Sequence, residues 1–406
     1  MRKSVLLKAP LLTRSGYGEQ SRFALRALRS REDLFDVYIQ PIAWGQTSWN
    51  NELTEERLWI DETIQKTIDF IQNGGQFDIS LQVTIPNEWE KIAPVNIGYT
   101  AGIETTKVHH QWLIKANELD KIIVVSKHAK DVFEDTVYDA FNEQTQEEVK
   151  LKVRHGTIDY VNYPVKLYEE LSPVELKLDY DFNFLTVAQM GPRKNLENTI
   201  KWFIEEFKDE EVGLVVKTNV ARNSQIDKEV VHGRLMHIVR QYEDIKCKIY
   251  MIHGDMTDEE MHSLYLHPQL KASLSLTHGE GFGLPLFESA YMGVPVVATG
   301  WSGQLDFLCD EDGTRNFYDV SFDLQQVPED VVWEGVITKD SFWAYAREQS
   351  AKEKMRQCYS DITNGEYPYS DLPEKLKERF EESKQYAAFV AAMGVEQTFD
   401  IESWLD

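Results

Sequence analysis

Basic residues, cysteine and long apolar runs are all scarce in this sequence, and each scarcity removes a class of protein. The 43 Lys and Arg stand against 68 Asp and Glu, a formal charge of −25. A surface that acidic argues against general nucleic-acid binding, though a local basic patch remains compatible with it. The three cysteines, Cys247, Cys309 and Cys358, have no metal or redox spacing and cannot all pair. They read as reduced core thiols of a cytoplasmic protein. No run of about 18 apolar residues exists, so no membrane span is expected. Residues 1–8 are partly basic, but their apolar run is far too short for a signal peptide. There are no repeats and no low-complexity segments.

What is present suffices for two folded cores. At 406 residues, 42% hydrophobic and 12% aromatic, the chain exceeds one ordinary core, and two domains are the default. Strands are predicted at 4–7, 35–42, 77–83, 95–100 and 121–126, with helices from the loop 13–18 to residue 28 and at 55–72, 106–119 and 127–138. Strands spaced by helices indicate a parallel, doubly wound sheet whose ligands lie beyond the C-terminal strand ends. Residues 166–182 lack periodicity and contain Pro173, which places a linker there. The alternation then restarts, with strands at 182–188, 212–217, 247–252 and 272–276 and helices at 196–207, 230–242 and 258–266. The C-terminal stretch reads as helical at 339–360 and 373–393, which gives domains of 1–170 and 180–370 and a final segment of 371–406.

The chain is organised around residues 277–288. Three glycines in five positions, Gly279, Gly281 and Gly283, follow a predicted buried strand and precede Pro285. Glycine lets the backbone turn sharply and approach a ligand, and proline is favoured in a first helical turn. Strand, glycine loop and helix N-terminus together aim free N–H groups at an anion, most naturally a phosphate. Two acids, Glu280 and Glu288, frame the loop with seven residues between them. A carboxylate accepts from two hydroxyls at once and so suits a sugar or ribose; the plainer alternative is a helix start with one capping and one solvated acid. A second charged turn, Gly191-Pro192-Arg193-Lys194-Asn195, follows the strand at 182–188, and Lys217 ends the neighbouring strand. Adjacent Arg and Lys can neutralise a diphosphate, the one as a fork and the other as a point charge.

Glu280-Gly281-Phe282-Gly283-Leu284-Pro285-Leu286-Phe287-Glu288, followed by Gly293-Val294-Pro295-Val296-Val297-Ala298, resembles the signature of the retaining glycosyltransferases of family four, which have the GT-B fold. Residues 191–196 resemble that family's first donor-domain turn, residues 124–127 its late acceptor-domain strand, and Gly303-Gln304-Leu305-Asp306 the turn after the donor helix, with Asp where Glu is usual. The resemblance runs through most of 182–360 and patchily through 1–165.

The resemblance implies an α/β protein of two Rossmann-like, doubly wound domains facing across a cleft, with C-terminal helices crossing back to the first. It implies transfer of a hexose-type sugar, with retention and without a metal, from a nucleotide-diphosphate sugar such as a UDP- or GDP-hexose to an acceptor hydroxyl. No cofactor is implied beyond that co-substrate. By this carry-over Glu288 would hold the ribose and Glu280 the transferred sugar. Arg193 and Lys194 would neutralise the diphosphate, and Lys217, His278 and the backbone of Gly281, Phe282, Gly283 and Leu284 would line the donor. Gly16 and Gly18 would let the first domain's loop close over the diphosphate. Asp179-Tyr180-Asp181 has the letters of a metal-binding pair but falls in the linker. A non-catalytic glycan-binding or scaffold protein of the same fold, and a GT-B sugar-nucleotide epimerase, are the alternatives.

The acceptor is less explicit. Glu104, His109 and His110 follow a strand and are candidate acceptor or sugar contacts, against a plain surface role for adjacent histidines opening a helix. Residues 1–31 hold eight Lys or Arg against one acid, and Arg22, Arg26 and Arg29 share a helix face. That face is either a rim that steers an anionic acceptor or a basic surface paired with acids elsewhere. A glycan or lipid-linked acceptor ranks ahead of modified DNA, because so acidic a protein repels a duplex.

Overall fold

Two parallel six-stranded sheets organise the chain. The computed structural model describes residues 2–142, 146–168 and 171–395. Residues 169–170 of the expected linker and 396–406 of the expected final segment lie outside the described residues. The chain divides into a first compact unit, Met1–Pro164 with Val327–Ser341 and the chain from Glu382 onward, and a second, Val165–Gln326 with Phe342–Glu381.

The first sheet contains β1 Lys3–Ala9, β2 Phe35–Pro41, β3 Ile79–Val83, β4 Val95–Thr100, β5 Lys121–Val124 and β8 Ile158–Tyr160, in the order β2-β1-β3-β4-β5-β8. Its central strands are buried on both faces, as a sheet covered by helices requires, with Ile79, Leu81 and Val83 on one face of β3 and the polar but buried Ser80 and Gln82 on the other. The covering helices are α1 Gly16–Arg29, α2 Glu55–Gln72, α3 His110–Glu118 and α4 Lys127–Asp135. Side-chain caps fix where they begin: Ser15 accepts from Gly18 N, Thr54 from Arg57 N and Ser126 from Ala129 N. The helix expected from residue 106 therefore starts at His110, where His109 is the cap. A hairpin of β6 Tyr138–Asn142 and β7 Glu147–Leu151 adds two strands whose charged sequence carries little apolar signal.

The second sheet runs β11-β10-β9-β12-β13-β14, from β9 Asn183–Val187, β10 Gly213–Lys217, β11 Lys248–Ile252, β12 Leu270–Ser275, β13 Val296–Thr299 and β14 Tyr318–Val320. Its helices are α5 Leu196–Phe207, α6 Gln225–Val239, α7 Asp258–Tyr265, α8 Leu284–Tyr291, α9 Leu305–Leu308, α10 Glu348–Asn364 and α11 Leu372–Arg379. Leu196, Ile200, Phe203, Ile204 and Phe207 recur at helical spacing on α5 and pack on Phe184, Leu214 and Val216. Because β9 has β10 on one side and β12 on the other, the strand order reverses between β9 and β12. That reversal is the switch point at which doubly wound sheets bind ligands.

Three expectations need correction. Residues 339–360 are not one helix: β15 Phe322–Gln326 pairs antiparallel with β16 Phe342–Ala346, and only then does α10 begin. Three aromatic residues in four positions, Phe342, Trp343 and Tyr345, favour a strand over the helix start. Between those strands, Val327–Ser341 counts with the first unit. There Val336 joins Trp89 and Trp112 in a core, and Gly335 O accepts from Trp112 Nε1 at 3.0 Å and Asn87 Nδ2 at 2.8 Å. The C-terminal helix of the first unit is α12 Glu382–Ala392 and not the whole stretch from 371, because α11 stays with the second unit. Phe389 of α12 packs edge-on against Phe23 and Tyr99, with ring centroids at 5.3 and 5.0 Å.

Candidate active site

Both basic turn and glycine loop leave the second sheet at its switch point, one from the end of β9 and the other from the end of β12. After β9 the chain makes a short 3-10 turn, Pro192–Lys194. Asn195, in the left-handed region at φ 51°, then redirects it into α5. The Asn195 amide donates to Leu276 O at 3.0 Å, and His278 N donates to Arg193 O at 2.8 Å, so the two segments are laced together. Gly283 caps α8 at φ 98°, a conformation that side chains resist, and Pro285 sits in the first turn. Gly303 meets the loop from the other side: a Cβ there would lie 2.0 Å from Gly281 O.

This lacing brings two cations onto one carboxylate. Lys194 Nζ lies 2.5 Å from Glu280 Oε1, and Arg193 Nη1 lies 3.1 Å from Glu280 Oε2 while also donating to Gly279 O at 2.5 Å. Glu280 is only 8% exposed. Burial pushes its carboxyl up, but Lys194 and Arg193 overcome that and hold it at about 2. It is therefore ionised at neutral pH, an acceptor of hydrogen bonds and not a proton donor. Two cations against one anion leave the cluster with a net charge of +1.

The remaining residues expected to line a donor have defined settings. Half-buried Glu288 accepts from the buried Tyr265 hydroxyl at 3.0 Å. Lys217 donates to Gly254 O at 2.9 Å. His278 Nδ1 faces Ala344 O at 2.8 Å, and a carbonyl can only accept, so Nδ1 carries the proton and Nε2 its lone pair. Its ring packs on Trp343 and Tyr345, and burial pushes its pKa down. The Phe282 side chain is core, its ring 5.1 Å from those of Phe287 and Phe307, which leaves its backbone as the candidate group. Gly281, Gly283 and Leu284 supply the rest of the loop and the first residue of α8.

The other candidates belong to the first unit. Gly16 and Gly18 are not in a loop but in the first turn of α1, because Ser15 caps the helix ahead of them. Gly18 is needed for packing, since its Cβ would lie 2.0 Å from Thr13 O, whereas a Cβ at Gly16 would meet nothing within 4 Å. Arg22 Nη1 donates to Leu11 O and Thr13 O, and its Nη2 to Glu19. Arg26 is bidentate on Glu56. That face thus presents ion pairs, not bare cations. His109 is buried as the cap of α3, with burial lowering its pKa, His110 is exposed and Glu104 half-buried.

Comparison with known proteins adds a family. The family described as "Glycosyl transferases group 1" matches residues 168–329. Residues 168–329 are thus similar to a group 1 glycosyl transferase domain. That stretch contains every second-unit residue of the candidate site. In structure the chain is similar to sucrose-phosphate synthase from Thermosynechococcus elongatus, with a TM-score of 0.61, 12% identity and 100% of each chain covered. It is similar to a glycosyltransferase from Rickettsia africae, with a TM-score of 0.59, 11% identity, and 97% of this chain and 98% of that one covered. It is also similar to the Anabaena protein HepE solved with UDP and glucose, at 0.56 and 11%, over 97% of this chain and 100% of that one. Likeness at such identities defines the fold, which is GT-B. No curated protein matches the chain.

Three supports of the candidate site carry little or no signal in the sequence. Ser302 Oγ accepts from Glu280 N at 2.9 Å, Asn195 ties the basic turn to the loop, and Tyr265 holds Glu288. Only Asn195 carried a signal, an Asn directly after two cations and before a helix, where left-handed backbone is tolerated.

Proposed function

We propose that the protein transfers a hexose unit from a nucleoside diphosphate sugar to an acceptor hydroxyl, with retention of configuration and with the leaving diphosphate neutralised by side chains in place of a metal. The observation that carries this reading is the Arg193–Glu280–Lys194 cluster beside the α8 N-terminus. Glycosyl transfer builds negative charge on the departing diphosphate, and preorganised cations and N–H groups stabilise it as it grows. Glu280, ionised and held between two cations, accepts from hydroxyls of the transferred sugar. Glu288, fixed by Tyr265, accepts from ribose hydroxyls. His278 and Lys217 line the donor, and the amides of 281–284 meet phosphate or sugar oxygens.

The group 1 domain over 168–329 and the UDP and glucose bound in HepE support a nucleotide-sugar donor. Retention rests on the resemblance of residues 280–288 to the retaining family. A thermal-shift screen of nucleoside diphosphates and their hexoses, followed by a nucleotide-release assay with the stabilising sugar, tests the proposal. A shift with a diphosphate and release of nucleotide are the results expected; a chain that answers to neither is not this enzyme.

A further inference from the structure

Helix α6 is apolar on two sides. Val231, Leu235 and Ile238 point inward and are buried in the core beneath the second sheet's helices. Ile226 and Val230 point outward, 74% and 41% exposed. Burial of one face is enough to hold a helix on a sheet, and the outer pair takes no part in it. Gly233 lies on the same outer side, and a Cβ there would meet nothing within 4 Å. Glycine is a poor residue for a helix interior, and no close approach within the chain requires it at this position. At 3.6 residues per turn, Ile226, Glu229, Val230, Gly233, His237 and Arg240 fall within one arc of about 100°. All six are exposed.

Charge selects what this face can meet. The chain carries −25, so two copies repel across most pairs of faces. The outer side of α2 shows the difficulty: Ile68 and Ile71 are exposed there, but Glu62 and Asp69 share that side. The face of α6 differs. Its one outward acid, Glu229, stands near the start of the helix, and a cation, Arg240, stands at the C-terminal cap. Asp227 is turned inward, its carboxylate 2.7 Å from His253 Nε2. Arg240, and Lys228 and Arg234 on the flanks, have no ion-pair partner among the described residues. An antiparallel copy of α6, related by a two-fold axis near Gly233, sets each Glu229 against Arg240 of the other copy. It also sets Val230 against His237 and Ile226 against the aliphatic stem of Arg240, while the glycines let the two backbones close.

We propose that the outward face of α6 is a self-association surface, through which a second copy of this chain docks as a two-fold dimer with antiparallel α6 helices crossing at Gly233. A single helix pair buries less than a standard interface, so the dimer is weak, with a Kd on the order of 10–100 μM. A lipid surface is the poorer fit, because two aliphatic side chains offer it little apolar area. The dimer is independent of the donor reading under Proposed function.

The test is sedimentation equilibrium of the full-length protein over about 5–500 μM, where the mass should rise from one chain towards two. Glu229→Arg should raise the Kd about tenfold or more, because the two-fold axis turns one reversal into two like-charge contacts. The double reversal Glu229→Arg/Arg240→Glu should return it to within about threefold of wild type, since the pair re-forms with its signs exchanged. Gly233→Leu should also weaken the dimer about tenfold or more by holding the helices apart. Its thermal melt at low concentration should be no lower than that of wild type, since leucine favours a helix and the position is open. A weakened dimer in that variant is then not a folding defect. A chain that stays monomeric throughout, a dimer indifferent to Gly233→Leu, or a double reversal no tighter than the single one would overturn the proposal. So would co-sedimentation with phosphatidylserine vesicles in place of self-association.

Discussion

Lys194 Nζ sits 2.5 Å from Glu280 Oε1, on a carboxylate whose other oxygen is 3.1 Å from Arg193. The two residues are 86 positions apart in sequence, joined by the parallel neighbours β9 and β12. One carboxylate thus holds two cations in place.

That arrangement separates binding from turnover. Glu280→Gln removes the countercharge, so UDP or GDP should bind as tightly as before or more tightly, while transfer falls about a hundredfold or more for want of the sugar contact. Titration calorimetry beside steady-state kinetics checks both halves. Weaker nucleotide binding with an unchanged kcat would reverse the assignment.

The same pair has a pH signature. Folding lowers the Glu280 pKa from an ordinary 4.5 to about 2. Its stabilisation is therefore fully present above about 4.5 and is lost as pH falls towards 2, where the unfolded chain binds more protons. The gap in unfolding free energy between wild type and Glu280→Gln, on the order of 3 kcal/mol from this source, should narrow across that window. Urea denaturation at a series of pH values measures it. A gap that stays constant would mean that Glu280 is not ionised by its partners in the way described.

On the proposed function, Glu288 acts on the nucleoside and Tyr265, which donates to it at 3.0 Å, positions it. Glu288→Ala should weaken UDP binding by about 1.5–3 kcal/mol, the loss expected for a charged acceptor. Tyr265→Phe should raise the KM for the donor with little change in kcat. Equal small effects of Glu280 and Glu288 variants would favour a mere helix start with two acids.

Gly303 is a backbone requirement and not a chemical one. Gly303→Ala would place a Cβ 2.0 Å from Gly281 O and disturb the bond from Gly303 N to Glu280 O. A cost of about 1–3 kcal/mol in stability and loss of nucleotide binding are expected, since backbone must move. Thermal melts with and without UDP report both.

Much of the second unit was legible in its sequence because local signals agreed there. The apolar face of α5, the glycine loop and Pro285 each specify one conformation with little help from distant residues. The strand β16 was misread because a short aromatic run beside a long polar helix offers no clear period. Arg26 looked bare because Glu56, which takes two bonds from it, lies 30 positions on in another helix, whereas Glu19, the partner of Arg22, stands three positions before it on the same helix. The Glu280 cluster was legible as three separate charges, but their pairing depends on the order of strands in the sheet.

The direct test of the account is calorimetric titration of UDP, GDP and ADP into the wild-type chain and into the Arg193→Ala/Lys194→Ala double variant. The account predicts one nucleoside diphosphate bound per wild-type chain, with affinity at least tenfold lower in the double variant, since each lost charged partner contributes about 1.5–3 kcal/mol. The affinity should not change when EDTA is added. Equal binding by both proteins, no binding by either, or binding that vanishes with EDTA and returns with Mg²⁺ or Mn²⁺ would contradict it.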